Sequence, residues 1–168
     1  MTAGTTVLLA TSKVGFDLLL LGHVAAALIG FGAVATSGVQ AARLLRSATG
    51  ALPGDLRRYF VPGVNWAGRV VYLVPALGFA LLATSRFRLG DPFVAAGLGL
   101  WAASALVGET VMWPAERRLQ LAVAALADDA APAVVPTLLR DCLLVGGSAA
   151  LLAADFLAAT VLMVAKPG

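Results

Sequence analysis

Four apolar blocks constrain this chain more than any other feature: Leu18–Val39, Val64–Thr84, Pro92–Met112 and Leu143–Val164. Each is roughly 21 or 22 residues long, which at 1.5 Å per residue matches a hydrocarbon core of about 30 Å. A lipid environment requires every backbone N–H to be satisfied within its own helix, and blocks of this length meet that demand. The expected fold is therefore all-α: an integral-membrane four-helix bundle with antiparallel up-down topology and both ends of the chain on one side. Residues 1–168 read as a single transmembrane domain, because four spans leave only about 80 residues for ends and connections.

Charge sets the expected orientation. One face, here the terminal face, carries Lys13, Arg86, Arg88 and Lys166. The other, the basic face, carries Arg43, Arg46, Arg57, Arg58, Arg117, Arg118 and Arg140, with Arg69 just inside the membrane. The positive-inside rule places the basic face in the cytoplasm of a bacterial plasma membrane and both termini in the periplasm. Tyr59, Trp66 and Trp113 lie where an aromatic belt would sit on the basic face. The arginines fall in loops and not in a stripe interleaved with aromatics, which argues against nucleic acid as a partner. Cys142 is the single cysteine, so no internal disulfide forms. The first twelve residues hold no Lys or Arg, so no charged signal segment is expected, and Thr5–Gly15 reads as an interfacial lead-in.

The connections are equally readable. Ser47–Gly54 (SATGALPG) is a turn-rich break, and Phe60–Gly63 (FVPG) forces an extended approach to the second span. The short Arg86–Pro92 link makes spans 2 and 3 expected antiparallel neighbours. Glu116–Ala127 continues helically past Trp113, and Asp128–Pro136 ends it. Small residues at four-residue spacing are candidate helix contacts: Gly22, Ala26 and Gly30; Ala95, Gly99 and Ala103; Gly146, Ala150, Ala154 and Ala158.

Ionisable groups inside spans cost about 2.5 to 3.5 kcal/mol at mid-helix, so each calls for a reason. Arg69 and Glu109 fall at similar depth near the basic face and are expected to form a structural ion pair latching spans 2 and 3. Asp155 lies deeper on span 4, and His23 lies on span 1 toward the terminal face. At an expected depth difference of about 7 Å, His23 and Asp155 could meet directly or through Ser148, Thr160 or water. They are the intramembrane polar candidates, either for a proton relay, quinone contact or ligand site, or for a packing hydrogen bond. No catalytic residue set and no metal site is read from the sequence, and no cofactor is expected. One histidine cannot make a bis-histidine site, and Cys142 lies at the opposite side from His23.

Four short motifs carry a resemblance: Leu21–Ala26 (LGHVAA), Trp66–Arg69 (WAGR), Trp113–Arg118 (WPAERR) and Leu162–Pro167 (LMVAKP). On these the chain resembles a bacterial four-span integral-membrane family of unknown function, distantly related to the copper-resistance D and membrane protoporphyrinogen-oxidase groups. The oxidase relatives use a histidine for haem, and His23 is the one position that could match; the second partner of that chemistry has no counterpart in this sequence, so the oxidase activity is not carried over. In size, span number and lack of catalytic groups the chain is also similar to accessory subunits of the bacterial cytochrome bcc–aa3 respiratory supercomplex. Two functions are therefore expected. The first is a non-catalytic accessory or assembly subunit partnered by membrane lipids and other membrane subunits, most naturally a respiratory cytochrome complex. The alternative is a haem- or metal-handling or quinone-linked membrane protein using His23 and Asp155.

Overall fold

The computed structural model describes residues 3–47, 52–127 and 135–165. Residues 48–51 of the turn-rich break, 128–134 of the segment closing the third long helix, and Lys166 and Pro167 lie outside them. The elements are α1 (Ala3–Arg46), α2 (Gly54–Tyr59), α3 (Trp66–Arg69), a 3-10 turn (Val70–Tyr72), α4 (Leu73–Thr84), α5 (Pro92–Val107), a π-helical turn (Gly108–Met112), α6 (Trp113–Ala127) and α7 (Val135–Ala165). Four stretches are long and apolar enough to cross a membrane, at Lys13–Arg46, Trp66–Thr84, Pro92–Leu126 and Thr137–Ala165. The protein is an all-α, multi-pass membrane bundle, as the apolar blocks imply.

Three spans outrun their apolar blocks. The expected lead-in Thr5–Gly15 belongs to α1 without a break. The third span continues through α6, because the π-turn accommodates Pro114. Proline supplies no N–H, and the surrounding ladder rearranges so that the Trp113 N–H reaches the Gly108 carbonyl, five residues back. In the second span Pro75 removes the donor that an α-helical register would bring to the Val71 carbonyl, and Trp101 Nε1 donates to that oxygen instead at 3.2 Å.

The helices pair unevenly. α1 packs along α7, α4 packs on α1, and α5 and α6 pack on α7, while α4 and α5 hardly touch. Spans 2 and 3 are the expected antiparallel neighbours, but they meet through side chains and not backbone to backbone. Their short link does join them at the terminal face, where Phe87 and Phe93 meet edge-to-face at 5.2 Å. Polar contacts tie them again near the basic face. Between these ties their apolar flanks gain little from contact, since lipid solvates them equally well.

Close approach is concentrated on α1. A Cβ at Gly30 would sit 2.6 Å from the Val71 backbone nitrogen, and one at Gly38 would sit 2.5 Å from Ala149 Cβ. The first small-residue stripe is therefore a true contact, with Ala26 also buried. Ala95, Gly99 and Ala103 on α5, and Ala150, Ala154 and Ala158 on α7, instead face outward.

Packing is tightest in the basic half, where Ala41, Leu44, Leu56, Phe60, Met112 and Leu119 form the centre of the buried cluster. A polar knot sits beside it. Ser37 and Glu116 are 0% and 5% exposed. Ser37 Oγ donates to Glu116 Oε1 at 2.8 Å, and Asn65 Nδ2 donates to the same oxygen at 3.1 Å. The serine proton being committed there, the Tyr59 hydroxyl donates to Ser37 Oγ at 2.7 Å. Burial first, and the Glu116 charge with it, hold the Tyr59 phenol above its ordinary range. Asn65 also caps α3 by accepting from the Gly68 N–H at 3.0 Å. Arg118 binds the buried carboxylate of Asp141 at 2.8 Å, fastening α6 to α7.

Replacing Gly38 by Leu should force α1 from α7 and cost about 1–3 kcal/mol. Gly99→Leu, with nothing within 4 Å of its added Cβ, should leave the thermal midpoint unchanged. Circular-dichroism melts in one detergent check both.

Candidate intramembrane cavity

The uneven pairing leaves a cavity of about 510 Å³ in the terminal half, walled by α1, α4, α5 and α7. Its wall on α1 runs from Phe16 to Phe31, so at 1.5 Å per residue it is about 22 Å long. Ser85, Phe87 and Leu89 of the α4–α5 link line its outer end, and the intervening Arg86 and Arg88 are exposed. At the deep end Phe31 stacks on Phe156 with centroids 4.8 Å apart, beside Trp101. The flank where α4 and α5 fail to pack gives this cavity a side facing lipid.

Both polar candidates line it, but they do not meet. Gly38 opposite Ala149, and Phe31 opposite Phe156, define the antiparallel register of α1 and α7. That register puts His23 nine residues from the level of Asp155, about 13 Å along the axis. The expected separation of about 7 Å is therefore corrected, as is bridging through Ser148 or Thr160. Depths counted from the ends of apolar blocks misplace residues when the helices overrun those blocks. Thr160 Oγ1 bonds its own helix at Phe156 O, 2.8 Å away.

Each residue has a different partner. His23 Nδ1 lies 2.9 Å from Val74 O. A carbonyl only accepts, so Nδ1 carries the proton and a neutral His23 presents Nε2 as an acceptor. Gly78 lies against the ring, and a Cβ there would make ordinary contact with His23 Cε1 at 3.5 Å. Asp155 Oδ2 accepts from Ser104 Oγ at 3.2 Å. Among the described residues no hydrogen bond reaches His23 Nε2 or Asp155 Oδ1.

Arg69 and Glu109 do come together, with Arg69 Nη1 and the Tyr72 hydroxyl both donating to Glu109 Oε1 at 2.5 Å. The Arg69 guanidinium also lies 5.0 Å from the Trp113 ring centre, and Trp113 Nε1 donates to Tyr72 OH at 3.2 Å. This latch closes the α4–α5 side just beyond the deep end of the cavity.

Sequence reasoning missed Ser104, Trp101 and the Glu116 knot. Ser104 is one hydroxyl in an alanine-rich run, with no local signal. Asn65 ahead of Trp66–Arg69 was a legible N-cap, and Pro75 signalled a carbonyl lacking its helical donor four residues on, though not which side chain would answer it.

The oxidase relatives of the resemblance hold haem, and two side chains of this wall could ligate one: His23 through Nε2 and Met163, which the α1–α7 register sets at nearly the same level. No protein-family model matches the chain, and no curated protein or solved structure matches it.

Trp101→Phe should leave the Val71 carbonyl with only the short-range Leu73 N–H and cost about 1 kcal/mol in a thermal melt. Adding Pro75→Ala, which restores a helical donor, should recover most of that loss. An additive or deeper loss in the double variant would mean the indole acts only by packing.

Proposed function

We propose that this protein binds a lipophilic small molecule within the membrane, in the cavity between the α1–α4 and α5–α7 pairs. One observation carries the reading: a long apolar slot, open toward lipid between α4 and α5, whose wall contains both deeply placed ionisable side chains. Cavities between bundle helices, apolar with a few convergent polar groups, are where ligands bind, and 510 Å³ falls in the usual range of about 300–1,000 Å³. The charge bias supports placing the basic face in the cytoplasm of a bacterial plasma membrane, with the cavity in the outer half.

A second reading, an accessory subunit of a larger complex such as the respiratory cytochrome supercomplex, is favoured by the outward stripes on α5 and α7. Small residues facing lipid permit close docking of partner helices.

One preparation separates the two. The tagged chain is purified in native lipid discs, its lipophiles are extracted and its proteins identified by mass spectrometry. A stoichiometric lipophile absent from Ala27→Phe, which fills the slot, and retained in Gly99→Phe on the outer surface, is the expected result. Equal extracts from both variants would overturn the binding reading. Stoichiometric companion subunits without a variant-sensitive lipophile would establish the accessory role.

A further inference from the structure

The polar atoms of the slot are unequally committed, and this selects a ligand class. Every side-chain hydroxyl or indole donor in the wall is already spent. Trp101 Nε1 serves Val71 O, Ser104 Oγ serves Asp155, Thr160 Oγ1 serves Phe156 O, and Ser85 Oγ serves Leu82 O. What remains open is two acceptors, Asp155 Oδ1 at the deep end and His23 Nε2 part-way along. Both face the apolar slot from half-buried side chains, and an acceptor that a ligand would cover without pairing is costly, so the molecule that fits best brings hydroxyl donors and not carbonyls. Its head is also neutral, because the Asp155 carboxylate opposes an anionic head and Arg69, beyond the deep end, is held by Glu109.

Shape narrows the class further. The slot is about 22 Å long on its α1 wall and ends at the Phe31–Phe156 stack and Trp101, surfaces suited to a flat ring. The outer end is covered by Phe87 against Phe93, so access runs sideways from lipid between α4 and α5. Resting on the binding reading above, we propose that the cavity takes a prenyl-tailed quinol, its ring hydroxyl on Asp155 and its tail running past His23 toward the α4–α5 link. The assignment concerns binding and orientation.

The test uses the full chain in detergent and three probes: a short-tailed prenyl naphthoquinol kept reduced under anaerobic conditions, the same molecule as its quinone, and a prenyl hydrocarbon lacking the head. Binding is read from the concentration dependence of the circular-dichroism melting midpoint. The wild type should bind the quinol about tenfold more tightly than the quinone, the size of effect expected when a buried polar group is matched or left unpaired. Asp155→Asn, which offers an amide donor, should erase or reverse that preference, and Ala27→Phe should abolish binding of every probe. Equal affinity, or a wild-type preference for the quinone or the headless hydrocarbon, would overturn the quinol assignment while leaving the binding reading intact. Failure of all three to shift the wild-type midpoint would overturn both. If Asp155→Asn does not fold, the wild-type preference decides alone.

Discussion

The contact of α1 with α7 at Gly38 and Ala149 is the constraint on which the rest of the bundle depends. It holds the two longest helices at backbone distance in a medium where apolar side chains have no reason to seek one another. The remaining spans then hang from this spine, α4 on α1 and α5 on α7. With no drive to close the outer pair, the bundle stays zipped at its basic half and splayed at its terminal half. The cavity is the geometric residue of that asymmetry.

Polar atoms do the work elsewhere assigned to the hydrophobic effect. Pro75 leaves a carbonyl that Trp101 answers across the gap between spans. The Glu116 carboxylate gathers Ser37 and Asn65, and Tyr59 through the serine, drawing α1, α2, α3 and α6 to one point. Glu109 does the same for Arg69 and Tyr72. Each such group is expensive to leave unpaired at low dielectric, so each fixes the register of the elements it joins. The result is one half tied by hydrogen bonds beside another built mainly by apolar contact.

Span number, helical class and the multi-pass character were legible from block length alone, because bilayer thickness is an external ruler. So were the residues that meet as the Arg69–Glu109 pair, since antiparallel helices put equal depths together near a shared boundary. The His23–Asp155 geometry was not legible, because it depends on the α1–α7 register, and that register is set by Gly38 and Ala149 and not by where apolar blocks begin. Glu116 was hidden for a related reason. In WPAERR it reads as one charge among three on an exposed helix, and only the π-turn before it brings it inside.

That turn has a broader meaning for how the chain tolerates change. One extra residue in a helical turn advances everything after it by about 100°. Gly108–Met112 thus works as a phase joint: α5 upstream can be tuned for the lipid-side cavity while α6 downstream keeps Glu116, Leu119 and Val123 turned inward. Loss of a single residue within the joint would alter no side chain of the knot, yet would rotate the whole of α6 and present its carboxylate to the membrane. The two halves of the bundle are in this sense separately adjustable, joined by a turn whose length matters more than its composition.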